Sequence, residues 1–398
     1  MKDFIYEGHV KIIYGAGQID YVLSEIKNLG QNILVVPAPS FVRSGNFKVL
    51  EEAMTASGLL VKTLENINGP MLSKVKEGVS LCTEENIEVV IGIGGGVCLD
   101  LAKAIAFGAK NTSAPMESYL TYELSTEGLS SLPVITIPTN PMSGSETNAD
   151  VQITFDENGL QAGCGMVYPT FTWLNPEYVM SLPAKVLAYG QMTAFVQLSL
   201  NYLNLTRSML AEHFAEASMK TVLSSLRISL NPNVSSEENK EARGTLLLNS
   251  ALSLSGINDL GRDSEFIPYP LQSFAQRYLG LNYPEALTGL FPYWMKTIYR
   301  ASADKSIFYR YFEEILNVSI SENEKTNPEA ILEKALSALF ALYKEFGIAT
   351  SYGELAKNPE NREELLEIIR SFGPMTSHFM TITDELLADI IENAIMGM

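Results

Sequence analysis

Through the first half of the chain, short runs of consecutive aliphatic and β-branched residues alternate with segments whose apolar positions recur every three or four residues. The runs Asn32–Val36, Leu59–Leu64, Ile87–Ile93 and Val134–Ile137 have the length and composition of buried strands. Between them, Met71–Glu85 carries Leu72, Val75, Val79 and Leu81 at helical spacing. This rhythm predicts a parallel sheet with helices on both faces, because two covered faces call for unbroken apolar runs rather than strict alternation. Gly and Pro punctuate the segment from Pro133 to Pro183. After Leu182-Pro183 the pattern becomes long helical periods over Lys185–Leu205, Met209–Leu230, Lys240–Leu254, Glu285–Ala301 and Pro328–Phe346. Breaks such as Asn231-Pro232-Asn233 are helix stops, and Ser235-Ser236-Glu237-Glu238 reads as a helix entry. The fold class read from the pattern is α/β plus all-α, with a parallel-sheet domain over residues 1–182 and a helical domain over residues 183–398.

Composition narrows the field. The chain has 398 residues, 46% apolar and 19% charged, which is the make-up of a folded globular protein with two or three domains. Its 28 bases against 46 acids leave a net charge of −18, a field that repels phosphate backbones and anionic headgroups. Nucleic acid and membrane surfaces are excluded as expected partners. The uncharged stretch from Val186 to Thr206 is broken by Gln191, Thr193, Gln197, Asn201 and Asn204, amides and a hydroxyl that lipid would leave unsatisfied. Met1–Glu7 has no apolar core of a signal peptide. Cys82, Cys98 and Cys164 form no even framework, so a cytoplasmic, reducing location is expected.

The sharpest chemical signal is Ile91-Gly92-Ile93-Gly94-Gly95-Gly96-Val97-Cys98-Leu99-Asp100-Leu101-Ala102-Lys103, a strand running through three glycines into a helix. Glycines admit a phosphate close to backbone N–H groups, and a helix N-terminus adds partial positive charge. Such a triplet also serves as a plain strand–helix turn. A second polar loop, Thr136 to Glu146, follows the next strand and supplies the hydroxyls of Thr136, Thr139 and Ser143 at the same sheet edge. Two polar loops at the carboxyl edge of a parallel sheet point to a nucleotide crevice.

In this order, Tyr14-Gly15-Ala16-Gly17, Gly94-Gly95-Gly96 with Asp100 and Lys103, Thr136 to Glu146, Leu174-Asn175-Pro176-Glu177, Glu241-Ala242-Arg243 and Phe291-Pro292-Tyr293-Trp294 are specific. The chain resembles the iron-type (group III) alcohol dehydrogenases of the dehydroquinate-synthase-like fold, most closely their butanol-dehydrogenase branch. The resemblance implies an N-terminal nucleotide-binding domain, a helical domain, and a cleft where NAD(P) exchanges hydride with a small alcohol or aldehyde held by a divalent metal. It also implies a homodimer. Gly94, Gly95, Gly96, Asp100, Thr136, Thr139 and Ser143 fall on the cofactor-binding positions. After the first strand, Val36-Pro37-Ala38-Pro39-Ser40 lacks the acidic residue that holds a ribose 2′-hydroxyl, and Ser40 with Arg43 can receive a 2′-phosphate. NADP is therefore favoured slightly over NAD.

The departures from the family concern its metal. Counted from Leu182-Pro183 and Gly190, the Asp and His ligand positions fall on Met192 and Val196; counted back from Trp294, the two further His positions fall on Ser273 and Tyr283. None of these is an iron or zinc ligand. No shift of register restores one, since no Asp lies between Asp156 and Asp259 and His213 is the one His between His9 and His378. No metal is expected. A metal-free oxidoreductase needs another proton donor, and Tyr283, with Ser273 nearby, is the candidate. Alternatively, the four side chains fill the vacated cavity, as Met and Val do in a sealed core. The expectation is an NAD(P)-dependent alcohol dehydrogenase or aldehyde reductase without iron or zinc; the alternative is a non-catalytic, nucleotide-binding or regulatory relative. A dehydroquinate-synthase-like lyase is weaker, since it too needs the metal.

Overall fold

Every residue of Val89-Val90-Ile91-Gly92-Ile93-Gly94 is buried in the computed structural model, which describes residues 1–398. That segment is the strand around which one half of the protein is organised. In chain order this half holds β1 (Lys11–Tyr14), α1 (Ile19–Leu29), β2 (Asn32–Pro37), α2 (Pro39–Arg43), α3 (Asn46–Ala56), β3 (Leu60–Thr63) and α4 (Leu72–Glu84). It continues with β4 (Val89–Gly94), α5 (Gly96–Gly108), α6 (Met116–Leu120), β5 (Val134–Pro138), β6 (Asp150–Thr154), β7 (Gln161–Gly165) and β8 (Phe171–Leu174). Six strands pair in the order β1-β8-β5-β4-β2-β3, all parallel, while β6 and β7 form a separate antiparallel hairpin.

Strand alternation sorts the apolar residues into two cores. Ile33, Val35, Ile91, Ile93 and Ile135 pack on one face with Val22 and Ile26 of α1 and Leu50 of α3. Leu34, Val36, Val90 and Val134 pack on the other with Val75 of α4 and Leu101, Ala104 and Ile105 of α5. Successive strands run outward from β2 to β3 and then, from β4, in the opposite direction, so the order reverses between β2 and β4. In open parallel sheets the crevice at such a reversal is where ligands bind.

The remaining helices are α7 (Ala184–Tyr202), α8 (Met209–Leu230), α9 (Ser236–Ser253), α10 (Pro268–Leu279), α11 (Tyr283–Ala301), α12 (Ser306–Glu314), α13 (Pro328–Glu345), α14 (Arg362–Ser371) and α15 (Asp384–Met396). A two-residue antiparallel ladder of β9 (Met375–Thr376) and β10 (Thr381–Ile382) interrupts them. Residues divide into two compact units: Glu7–Leu182 with Ser225–Ser255, and Met1–Tyr6 with Pro183–Ser224 and Gly256–Met398. The sheet unit thus takes α9 from the second half of the chain, and the helical unit takes the first six residues.

The core of the helical unit is α7, with Leu187 through Tyr202 all buried. Several polar groups on it and just past its end find partners there. Thr193 and Ser199 donate to the carbonyls of Tyr189 and Phe195 at 2.7 Å, the Asn201 amide donates to Asp259 at 3.1 Å, and Asn204, two residues beyond the helix, donates to the Asp263 carbonyl at 2.6 Å. No helix is long and apolar enough to cross a membrane.

Candidate functional site

In the sheet unit, three loops leave neighbouring strand ends and are tied to one another by backbone bonds. Ala38, after β2, donates to the Ile93 carbonyl at 2.7 Å, and Thr139, after β5, donates to the Gly94 carbonyl at 2.9 Å. The glycine loop after β4 therefore sits between the other two, at the reversal in strand order.

Its three glycines have different reasons to be glycine. Gly94 has φ +153°, and a Cβ there would lie 2.8 Å from the Ala38 Cβ, so the fold itself excludes a side chain. A Cβ on Gly96 would press Ser143 at 3.1 Å. Gly95 has ordinary backbone angles, and a Cβ there would meet nothing nearer than Asn140 at 3.8 Å. Packing does not require a glycine at 95; what its side chain would take up is the open space over the loop. Gly95 is also the N-cap of the thirteen-residue helix α5, and no side chain caps that end, so N–H groups and dipole are presented to that space.

Asp100 and Lys103 stand one and two turns into α5 and act on the second loop from beneath. Asp100 accepts from Ser145 Oγ at 2.5 Å and from the Gln152 N–H at 3.1 Å. Lys103, fully buried, donates to the carbonyls of Ser145 at 3.0 Å, Asn148 at 3.3 Å and Asp150, and to Asn148 Oδ1 at 3.2 Å. These partners only accept, so the side chain is an ammonium, although burial pulls its pKa down. Burial likewise raises Asp100, against the attraction of Lys103. Thr136 is fully buried in β5, and its hydroxyl donates to the Glu146 carbonyl at 3.3 Å. Asp100 and Thr136 are thus built to hold the second loop in shape, while Thr139 and Ser143 lie along the loop itself. Glu146 is buried, its Oε1 meets no donor, and burial pushes its carboxyl up to about 7. Ser40 and Arg43, on α2, are exposed.

The former metal positions all lie in the helical unit. Met192 and Val196 are fully buried. Tyr283 is half-buried at the start of α11, where Asn282 and Glu285 form a capping box, and Ser273 is half-buried on α10. The α7 side chain that meets Tyr283 is Gln197, one residue beyond Val196, with its Nε2 donating to Tyr283 Oη at 3.2 Å. Residues four apart share a helix face, so the face turned to Tyr283 is that of Thr193 and Gln197, not that of Met192 and Val196. Gln197 was not singled out in the sequence because an amide carries no ligand signature. Neither Met192, Val196, Ser273 and Tyr283 nor the neighbouring Thr193 and Gln197 offer a side chain suited to iron or zinc, and no group of three or more His, Cys, Asp or Glu side chains is placed to hold a metal ion.

Comparison with known proteins agrees with this geometry. Residues 10–176 match the iron-containing alcohol dehydrogenase family. A probable NADH-dependent butanol dehydrogenase 1 of Bacillus subtilis (strain 168) is 26% identical, over 98% of this chain and 99% of its own. The chain belongs to the iron-containing alcohol dehydrogenase superfamily. Within that family of NAD(P)-linked alcohol and aldehyde oxidoreductases, the NADPH-dependent aldehyde reductase of Escherichia coli (strain K12) is 22% identical, over 94% of each chain. The crystal structure of NADH-dependent butanol dehydrogenase A from Thermotoga maritima shares the fold, with a TM-score of 0.89, 22% identity and 99% of each chain covered. Against that family the chain has lost the metal-binding side chains and kept the glycine loop.

Proposed function

We propose that the protein is an NAD(P)H-dependent alcohol dehydrogenase or aldehyde reductase that works without bound iron or zinc. The observation that carries the reading is the open space over Gly95 at the reversal in strand order, bordered by an uncapped helix N-terminus. In this reading the Gly94-Gly95-Gly96 backbone and the α5 N-terminus hold the pyrophosphate, with the hydroxyls of Thr139 and Ser143 alongside. Asp100 and Thr136 serve by holding that second loop. The exposed Ser40 and Arg43 receive a 2′-phosphate, which favours NADP over NAD; the relatives named above divide between NADH and NADPH. Bound NAD(P)H supplies the hydride.

Tyr283 donates the proton that the carbonyl oxygen needs as hydride reaches its carbon, and the resulting phenolate recovers a proton from water, which its half-buried position admits. The same reading takes a small alcohol or aldehyde as substrate, and a homodimer in the cytoplasm. Three free cysteines agree with a reducing location. The second reading, a non-catalytic relative, is favoured by the full burial of Met192 and Val196, which fill space as a sealed core does.

Tyr283→Phe separates the two. It keeps the ring and removes the phenolic proton, so aldehyde reduction is expected to fall by about 100-fold or more while NAD(P)H binding is unchanged. Turnover equal to wild type excludes Tyr283 as the donor. Nucleotide binding with no reduction by the wild type across a panel of small aldehydes identifies the non-catalytic relative.

A further inference from the structure

Within the helical unit a cavity of about 510 Å³ lies between α11, α15 and the turn that joins β9 to β10. On one wall α11 presents Tyr293, Lys296, Thr297 and Arg300; on the other α15 presents Leu386, Asp389, Ile390 and Asn393, each set at the spacing of a single helix face. Most polar groups on these walls are already spent. Tyr293 Oη donates to the Thr350 carbonyl at 2.8 Å, Thr297 Oγ1 to the Tyr293 carbonyl at 3.0 Å, and Asn393 Nδ2 to the Asp389 carbonyl at 2.8 Å. Arg300 holds Glu329 with Nη2 at 2.8 Å and Nε at 3.2 Å. Lys296 is different. It is half-buried with no acceptor within hydrogen-bond reach, whereas every other lysine or arginine that is buried or half-buried donates to at least one oxygen. Burial, and then the neighbouring Arg300, pull its pKa down, with Glu329 opposing them. An ammonium drawn out of water without a counter-charge costs free energy, which an anion beside it recovers.

We infer that this cavity is a binding site for a monocarboxylate with an apolar body of about six to eight carbons, its carboxylate on Lys296 and its chain against Met380, Leu386 and Ile390. Charge selects the headgroup. Arg300 is neutralised by Glu329 and the exposed Asp389 stands on the opposite wall, so the one free ammonium matches a single negative charge, and a dianion such as a phosphate ester brings a charge that nothing balances. Volume selects the body. A dry apolar cavity of about 150 Å³ holds a benzene ring, and this larger one has room for a chain and for water around the headgroup. Lys296 follows Tyr283 on α11 by thirteen residues, about 20 Å along the helix axis. The site is therefore separate from the candidate proton donor, and it does not depend on the oxidoreductase reading.

The test titrates hexanoate, with 1-hexanol as its uncharged match, into the wild-type protein, Lys296→Met and Leu386→Trp by calorimetry, each protein checked for folding by circular dichroism. The wild type is expected to bind one hexanoate, about tenfold or more tightly than 1-hexanol. Lys296→Met keeps an apolar stem and is expected to lose that preference, and Leu386→Trp, which fills the cavity with Lys296 intact, to lose hexanoate binding. Saturating NADPH and the Tyr283→Phe change are expected to leave hexanoate binding as it is. No hexanoate binding by the wild type, equal binding of acid and alcohol, or a preference that survives in Lys296→Met overturns the inference. Undiminished binding in Leu386→Trp overturns it too, as does competition by NADPH, which places the acid in the cofactor site. Tighter binding of hexyl phosphate than of hexanoate overturns the choice of headgroup.

Discussion

Gly94 and Gly95 are adjacent and identical in sequence, yet the fold needs only the first. Gly94→Ala places a Cβ at φ +153° against Ala38, and a strained residue of this kind costs about 1–3 kcal/mol, to be seen as a lower urea midpoint. Gly95→Leu meets no such obstacle, so its stability is expected to stay close to wild type while the rise in melting temperature with NAD(P)H disappears. A shift that persists in Gly95→Leu shows that the nucleotide does not lie over this loop. Glu146, in the next loop, brings a pH dependence of definite sign. Burial raises its carboxyl from 4.5 to about 7, so its contribution is fully present below about pH 4.5 and is lost as the pH rises toward 7. Asp259, raised by burial from 3.8 to about 6, acts with the same sign over a lower window, from about pH 3.8 to 6. Glu146→Gln keeps a neutral side chain of the same shape at every pH, so its melting temperature is expected to fall less than that of wild type between pH 4.5 and 7. Parallel profiles assign the slope elsewhere. The glycine triplet was legible from the sequence because a phosphate cradle has a local pattern; the Gln197–Tyr283 pair was not, since its members stand 86 residues apart and neither has a spacing that marks it.

At the scale of elements, strands and helices with strong local patterns emerged close to their sequence limits. The run Asn32–Val36 is extended by one residue, Ile87–Ile93 is shifted to Val89–Gly94, and Met209–Leu230 is unchanged. The helix entry at Ser235 is a capping box, with Glu238 N–H donating to Ser235 Oγ at 3.2 Å and Ser235 N–H to Glu238 Oε2 at 3.0 Å, which starts α9 four residues before Lys240. What the periodicity could not show were the four-residue strands β1 and β8, too short to display a period and defined by pairing with each other and with β5. It also passed over α10, whose prolines at 268 and 270 look like breakers but occupy the first turn, where the missing N–H costs nothing. The assignment of α9 to the sheet unit is another long-range matter, held in place by Arg243. Its Nη1 donates to the carbonyls of Val179, Met180 and Leu182 at 2.8, 3.2 and 3.1 Å, and its Nε to Asn239 Oδ1 at 2.9 Å. Arg243→Ala leaves those carbonyls without their donor in a side chain's place that is only 7% exposed, an expected loss of about 3 kcal/mol by urea unfolding. Arg243→Lys is expected to recover only part of it, because an ammonium cannot reproduce the planar fork. Full stability in Arg243→Ala means that α9 is anchored by its apolar contacts alone.

For the molecule as a whole, metal and nucleotide make separable claims on stability. A ligand bound only by the folded state adds RT ln(1 + [L]/Kd), about 2.7 kcal/mol at a hundred times Kd, so any resident ligand leaves a mark on thermal unfolding. A structural or catalytic zinc or iron would leave the largest mark, and a chelator would erase it. Here the side chains at the four former ligand positions are thioether, aliphatic, hydroxyl and phenol, with no carboxylate or imidazole cluster to replace them. The purified protein is therefore expected to hold no stoichiometric iron or zinc by elemental analysis, and EDTA is expected to leave its melting temperature unmoved. NADPH should raise it by a few degrees, as a few kcal/mol does for a protein of this size. The loops that would hold the nucleotide all belong to the unit of Glu7–Leu182 and Ser225–Ser255, and Tyr283 and Gln197 to the other. If calorimetry resolves two transitions, the nucleotide shift is expected on the one that Gly95→Leu makes insensitive to NADPH, with EDTA moving neither. A chelator-sensitive transition would mean that donors outside the former ligand positions bind a metal, and the metal-free reading would fail; a protein that millimolar NADPH and NADH leave unmoved has kept the fold and lost the cofactor.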